Sequence, residues 1–227
     1  MNFLEFLDTY LKKIKIVKFL NYYKKKEFKI FKKFNLNEKS LFIDLGANKG
    51  DITQFVLDKY NCKTESYEPE KNCYLKLKKR FQNEKKNKVF NLGISKNSFK
   101  KKIYYHKKFK LNNYIYSQSS SFIKEKKNID KNNFLTVKTI PIKKLLLKHK
   151  YINLIKIDIE GYEYEILPEI IKNKNKIQNV LCELHGSPDK KDKNGKTRNS
   201  NFLKRYNNIV LKLKKKKLYG NWFIEWV

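Results

Sequence analysis

The stretch LFIDLGANKGDITQFVL, Leu41 to Leu57, constrains the fold of this chain more than any other. An apolar run, Leu41–Leu45, leads into a glycine turn and then into a helical pattern from Asp51 to about Tyr60. So short an apolar run, closed by a glycine turn, reads as a strand buried on both faces, as in a parallel sheet covered by helices. Gly46 and Gly50 let a ligand approach the backbone where a Cβ would stand in the way, and Asp44 sits just before the turn. A glycine turn between the first strand and the following helix is where three-layer α/β folds hold nucleotide-type cofactors.

The rest of the chain continues the alternation. Lys63–Tyr67 reads as a second strand ending in Glu68-Pro69-Glu70, and the proline allows a helix to start near Lys71 and run to about Phe81. Lys88–Leu92 is a third strand. Phe99–His106 and Phe134–Ile140 are further strands, and the polar segment Leu111–Ile129 between them reads as a surface loop or part of a substrate lid. Pro141–Lys148 is a short helix, Ile152–Ile157 an apolar strand, Tyr162–Ile171 a helix and Ile177–Leu184 another strand. After the polar loop Ser187–Ser200 comes a short helix around Phe202–Tyr206. Ile209–Leu213 and Trp222–Val227 then read as paired strands. The expected architecture is α/β, with a mostly parallel central sheet, a late antiparallel strand or hairpin, and flanking helices. Residues 1–39 are expected to form an N-terminal helical extension and residues 40–227 the main domain. In the extension Phe3, Phe6, Leu7, Tyr10, Leu11 and Ile14 share one face and lysines the other. Such a helix packs on the core, or meets a partner or an anionic membrane as a peripheral contact.

Charge opens a second line of inference. The formal charge is +32, from 54 basic against 22 acidic residues. A field of this size recruits anions such as RNA. Lysine, asparagine, isoleucine, tyrosine and phenylalanine are all abundant, however, while arginine and alanine are scarce, which is the pattern an AT-rich genome imposes. Cys62, Cys73 and Cys182 have no CxxC spacing, so neither a zinc ribbon nor a disulfide framework is expected. No segment approaches the ~20 apolar residues of a membrane span, and lysines break the N-terminal apolar runs, unlike a signal peptide. A cytoplasmic chain is expected, in the host cytoplasm if the source is viral.

The turn DLGANKG departs from GxGxxG because Asn48 replaces the middle glycine, and it lacks the GK[ST] ending of a P-loop. Two later elements add to it. Glu68 follows the second strand, 24 residues after Asp44, where a carboxylate accepts both hydrogen bonds of a ribose diol. NLGIS, Asn91 to Ser95, ends the third strand, with Gly93 allowing close passage over an adenine ring and Ile94 offering an apolar contact. The plainer reading is that Gly46 and Gly50 only make a tight turn and that Gly93 only ends a strand. An acidic lining without a diphosphate cradle suits a sulfonium cofactor, S-adenosylmethionine, with Asp44 facing its amino-acid end and Asn48 its carboxylate. NAD is the alternative.

A second constellation lies in LIKIDIEGYEYE, Leu154 to Glu165. Strand alternation puts Lys156 and Asp158 on one side and Ile155 and Ile157 on the other. The strand that follows ends CELHG, with Glu183 and His185 in phase. Asp158, Glu160, Glu183 and His185 are therefore expected to converge at the carboxyl edge of the sheet. Histidine is a good base near neutral pH, so His185 is the candidate base, with Asp158 or Glu183 orienting it or the acceptor, and Lys156 and Glu160 on the substrate side. Alternatively Asp158, Glu183 and His185 hold a divalent cation, magnesium or manganese by their oxygen-rich character. Lys156 and Asp158 also read as a structural ion pair. Glu163 and Glu165 are expected on the solvent side of their helix, and His106 and His149 as surface or packing residues.

These motifs resemble the FkbM-type methyltransferases, a class I S-adenosylmethionine-dependent family. The matching segments are FIDLGANKGD (Phe42–Asp51), YEPEKN (Tyr67–Asn72), NLGIS (Asn91–Ser95) and IKIDIEGYEYEIL (Ile155–Leu167), with LCELHG (Leu181–Gly186) compatible. The resemblance implies a Rossmann-like class I methyltransferase sheet. It places cofactor contacts near Asp44, Gly46, Asn48, Glu68 and Asn91–Ile94, and maps Asp158 and Glu160 onto an Asp-x-Glu-Gly motif. It also implies methyl transfer to an oxygen, often on a sugar or polyketide-like product. The expected activity is O-methylation of a sugar, glycan or other small metabolite. RNA ribose 2′-O-methylation is one alternative, and a catalytically silent nucleic-acid-binding or scaffold protein is another.

Overall fold

The computed structural model of the chain describes residues 26–109, 120–124, 126, 128–185, 200–218 and 222–226. Residues 2–25 of the helix expected from Asn2 to about Lys29, and most of the expected Leu111–Ile129 and Ser187–Ser200 loops, lie outside the described residues. Strands are β1 (Leu41–Leu45), β2 (Lys63–Tyr67), β3 (Asn87–Phe90), β4 (Gly93–Ser95), β5 (Lys100–His106), β6 (Ile129–Pro141), β7 (Ile152–Ile157), β8 (Ile177–Leu184) and β9 (Phe223–Trp226). Helices are α1 (Lys26–Lys29), α2 (Asp51–Tyr60), α3 (Lys71–Arg80), α4 (Ile142–Leu147), α5 (Glu163–Lys172) and α6 (Ser200–Lys215).

Six strands form the central sheet in the order β3-β2-β1-β7-β8-β9, and every pairing in it is parallel. The chain starts in the middle at β1, moves outward through β2 and β3, and returns to lay β7, β8 and β9 on the other side. Loops leaving β1 and β7 therefore part in opposite directions, and a crevice opens at the carboxyl ends of these two strands. A smaller sheet, β4-β6-β5, pairs β4 with β6 in parallel and β5 with β6 antiparallel. It hangs beside that crevice because β4 begins three residues after β3 ends.

Alternation sets the two faces of the central sheet. Ile43, Leu45, Ile155 and Ile157 face α4, α5 and α6, whereas Phe42 and Leu154 face an aromatic cluster of Phe28, Phe31, Phe34 and Phe55. The described part of the segment before residue 40 thus packs into the domain: Phe31 is fully buried, and its ring meets those of Phe42 and Phe55 edge-on. Asp44 and Lys156 share the face of Phe42 and Leu154, two residues further along their strands.

The C-terminal region corrects the expected hairpin. Ile209–Leu213 lies inside α6. Ile209 and Leu213, four residues apart, are both buried, while Leu211 between them is 63% exposed. That is helical spacing, and each buried side chain contributes about 1.5–3 kcal/mol. A helix between β8 and β9 carries the chain back across the sheet, so β9 joins β8 in parallel. The antiparallel pairing is in the smaller sheet instead, between the two strands expected at Phe99–His106 and Phe134–Ile140.

Candidate active site

A cavity of about 390 Å³ occupies the crevice. Asn48, Glu68, Gly93 and Ile94 form one part of its wall, Lys156, Asp158 and Glu160 another, and Gly46 lies between them, its carbonyl 3.3 Å from Lys156 Nζ. Gly46 adopts φ +83, and a Cβ there would strike the Asp158 carbonyl. The glycine thus lets the turn after β1 cross the end of β7.

Glu68 is 7% exposed. Its Oε2 accepts the Asn48 backbone N–H at 2.9 Å and its Oε1 that of Glu70 at 2.8 Å. Burial pushes its pKa up to about 7, against the pull of these amides. Asn48 itself sits at φ +52, and its Oδ1 is buried with no hydrogen-bond partner among the described residues. The Ser120 hydroxyl, also on the cavity wall, is orphaned in the same way. Buried polar atoms normally find partners, so two orphans on residues that line one cavity are positions for a polar ligand.

Three residues expected at the cofactor stand behind the cavity. Asp44 is fully buried; its Oδ2 accepts from the Thr53 hydroxyl at 2.8 Å and its Oδ1 lies 3.5 Å from Lys156 Nζ. Burial raises its pKa despite that ammonium. Gly50 has φ +84, and a Cβ on it would run into Leu77 and Phe81, so its bare Cα serves the packing of α2 on α3. The Asn91 amide donates to the Glu68 and Pro69 carbonyls at 2.9 and 3.2 Å and holds the loop that carries Glu68. Gly93 does line the cavity, where its missing Cβ leaves room for Phe122 and Pro69.

At the other end, Lys156 and Asp158 lie on one side of the strand, as alternation requires. Lys156 Nζ stands 3.1 Å from Asp158 Oδ2 and 3.3 Å from the Gly46 carbonyl. Burial works against this ammonium, but Asp158 and Asp44 outweigh it and its pKa lies above the lysine range. Burial likewise opposes ionisation of Asp158, yet Lys156 and His185 hold its pKa below the usual value. Glu160 sits at φ +57, a conformation rare outside glycine. The Ser121 hydroxyl donates to its carbonyl at 2.6 Å, and Lys126 Nζ lies 2.7 Å from its Oε2.

His185 follows directly on β8. Its Nε2 is 3.5 Å from Glu160 Oε2 and 3.9 Å from Asp158 Oδ1, and its Nδ1 is 3.1 Å from Glu163 Oε1. Burial lowers its pKa, but these carboxylates carry it above the usual histidine value. The three potential ligands within 4.8 Å of one another are Asp158, Glu160 and His185, while Glu183 acts on the Lys156 ammonium. Period two holds only within β8, which ends at Leu184, so Glu183 and His185 need not share a side.

Glu163, expected on the solvent face of its helix, is completely buried. Its place at the opening of α5, just after DIEGY, is the only signal in the sequence. Ser121 and Lys126 are also unforeseen; they meet Glu160 across 39 and 34 residues.

The FkbM methyltransferase domain model matches residues 44–215. The chain belongs to the FkbM methyltransferase family. Comparison with curated proteins finds no match. Among solved structures, this FkbM chain is similar to the cyclopropane synthase MmaA2 from Mycobacterium tuberculosis at 17% identity over 30% of its own length and 29% of that chain, with a TM-score of 0.26. It is similar to the mycolic acid cyclopropane synthase CmaA1 at 17% identity over 34% and 38%, with a TM-score of 0.27. Similarity to an rRNA methylase from Streptococcus thermophilus is 10% identity over 78% and 57%, with a TM-score of 0.30. The chain spans less than two thirds of each of these proteins, and overlaps this loose decide neither fold nor substrate.

For an FkbM domain the cofactor end fits S-adenosylmethionine by the chemistry of its walls: a buried carboxylate, two orphaned polar atoms and a glycine turn. The acid–histidine end fits a divalent cation by donor type. It also carries internal cations, with Lys126 on Glu160 and Lys156 on Asp158. Among the described residues, no helix is long and apolar enough to cross a membrane.

Proposed function

We propose that this FkbM-family chain transfers a methyl group from S-adenosylmethionine to a hydroxyl of a sugar, glycan or other small metabolite. The observation that carries the reading is His185 Nε2 beside Asp158 and Glu160, two residues that line the same cavity as Glu68 and Asn48. Bound in the cavity, the cofactor supplies a methyl group on a positively charged sulfur. Glu68 accepts from the ribose hydroxyls through lone pairs that its two backbone donors leave over. Asn48 Oδ1 takes a donor from the amino-acid end, and Gly93 and Ile94 flank the adenine. Asp158 and Glu160 accept hydrogen bonds from the acceptor and turn its hydroxyl toward His185, whose Nε2 takes the proton as general base. Lys156 and Lys126 hold the two carboxylates in place. Lys126 and Lys156 supply cations to Glu160 and Asp158, and in this reading His185 takes the proton without a divalent cation.

The test is transfer of labelled methyl to a panel of free sugars, glycans, small hydroxylated metabolites and RNA. Transfer to a non-RNA acceptor that disappears with Asp158→Ala supports the reading. Activity confined to RNA overturns it in favour of ribose methylation. Cofactor binding without turnover, together with salt-dependent RNA binding, overturns it in favour of a silent scaffold.

A further inference from the structure

We propose that Glu163 is a positioning residue that fixes His185 as the Nδ1–H tautomer and keeps its Nε2 open toward the acceptor. The inference rests on the reading of His185 as the base.

Glu163 opens helix α5 and is 0% exposed. A carboxylate so buried needs donors around it, and a helix N-terminus favours its charge. Its Oε1 accepts the backbone N–H of Ile159 at 3.0 Å and that of Gly161 at 3.1 Å. The same oxygen lies 3.1 Å from His185 Nδ1. An oxygen that already accepts from two amides is the carbonyl-type oxygen of the group, ionised or not. The third contact is therefore Nδ1–H donating to Glu163, which assigns the tautomer. One carboxylate thus ties the Asp158–Gly161 loop to the end of β8, a separation of 22 residues.

The competing state explains why this matters. Glu160 Oε2 and Asp158 Oδ1 stand 3.5 and 3.9 Å from Nε2. Left to itself, the neutral ring would put its proton on Nε2 and donate to one of these acids, and it would then have no lone pair for the acceptor hydroxyl. Glu163 holds the proton on the opposite nitrogen. Once Nε2 has taken a proton, all three carboxylates stabilise the imidazolium, with Lys126 paired to Glu160 and Lys156 to Asp158.

The experiment is a long-range proton–nitrogen correlation spectrum of the full chain with labelled histidine, recorded on the neutral ring without ligand. The chain has three histidines, and the signal lost in His185→Gln identifies the ring. The expected wild-type signature is a protonated Nδ1 and a bare Nε2. In Glu163→Gln the side-chain carbonyl still accepts from the Ile159 and Gly161 amides, so the fold is kept, but the hold on Nδ1–H weakens. The signature then moves toward Nε2–H. Where methyl transfer is measurable, kcat falls about 100-fold with KM changed less than about twofold. Glu163→Ala is the second variant, expected to shift the signature further. A wild-type ring protonated on Nε2, or a signature unmoved in both variants, overturns the proposal. A tautomer that depends on Glu163 in a chain that methylates nothing would uphold the positioning role and sink the assignment of the reaction.

Discussion

The two ends of the cavity are built differently. At the cofactor end the central carboxylate, Glu68, is bound by backbone amides of Asn48 and Glu70. At the acceptor end side chains carry much of the arrangement, as Lys156 on Asp158, Lys126 on Glu160 and Glu163 on His185. A backbone-made site tolerates changes of side chain, because the donors stay whatever residue carries them. A side-chain-made site can be dismantled by one substitution, because removing one partner leaves another buried and unpaired.

Substitution of the base should separate the ends most sharply. His185→Gln is expected to lower kcat by about 10²–10⁴-fold while cofactor affinity, measured by calorimetry, stays within about twofold. A matching loss of cofactor affinity would mean that the two ends are one unit. Gly46→Ala comes next, since it strikes the seam between them. The positive φ and the collision with the Asp158 carbonyl should cost about 1–3 kcal/mol or more in thermal or denaturant unfolding. A Tm within a degree of wild type would show that the turn can move off β7.

Glu68 gives a pH test confined to the cofactor end. The carboxylate form accepts the ribose hydroxyls, so cofactor affinity should rise with pH through about 7, by up to about tenfold per unit below that value. Glu68→Gln should flatten the profile. Stability runs the other way. The folded state holds this proton more tightly than the unfolded chain, so the group's contribution is full below the ordinary value of 4.5 and is lost as pH rises through about 7. An affinity independent of pH in the wild type would remove Glu68 from the ribose. The smallest effect is expected from chelation: exhaustive treatment with a chelator should leave methyl transfer unchanged. A rate restored only by added magnesium or manganese would put a cation on Asp158, Glu160 and His185 and displace Lys126 from Glu160.

How far each end was legible follows from the same contrast. The glycine turn, Glu68 and NLGIS announce themselves as residue types at strand ends, and Gly46, Asn48, Glu68, Gly93 and Ile94 do line the cavity. Asp44, Gly50 and Asn91 belong to the same motifs but face inward, to Thr53, to Leu77 and Phe81, and to the Glu68 loop. A motif marks a turn without saying which of its groups look out of it. At the acceptor end Lys156 and Asp158 were readable from period two, because the ladder runs one residue past β7, with the Asp158 N–H donating to the Leu45 carbonyl at 3.1 Å. His185 lies past the end of β8, so period two does not fix its side relative to Glu183. Ile209–Leu213 was misread as a strand because a short apolar run fits both periods until its neighbours are known.

The sequence by itself determined the alternating α/β order, the place of the glycine turn and the residue types at the carboxyl ends of β1, β7 and β8. These follow from local pattern and backbone sterics. The tertiary structure alone decided that β9 runs parallel, that Glu160 meets His185, and that Glu163 is buried against that ring. Those outcomes depend on which side chains, 22 to 39 residues apart along the chain, are pressed together when a switched parallel sheet closes over its own strand ends.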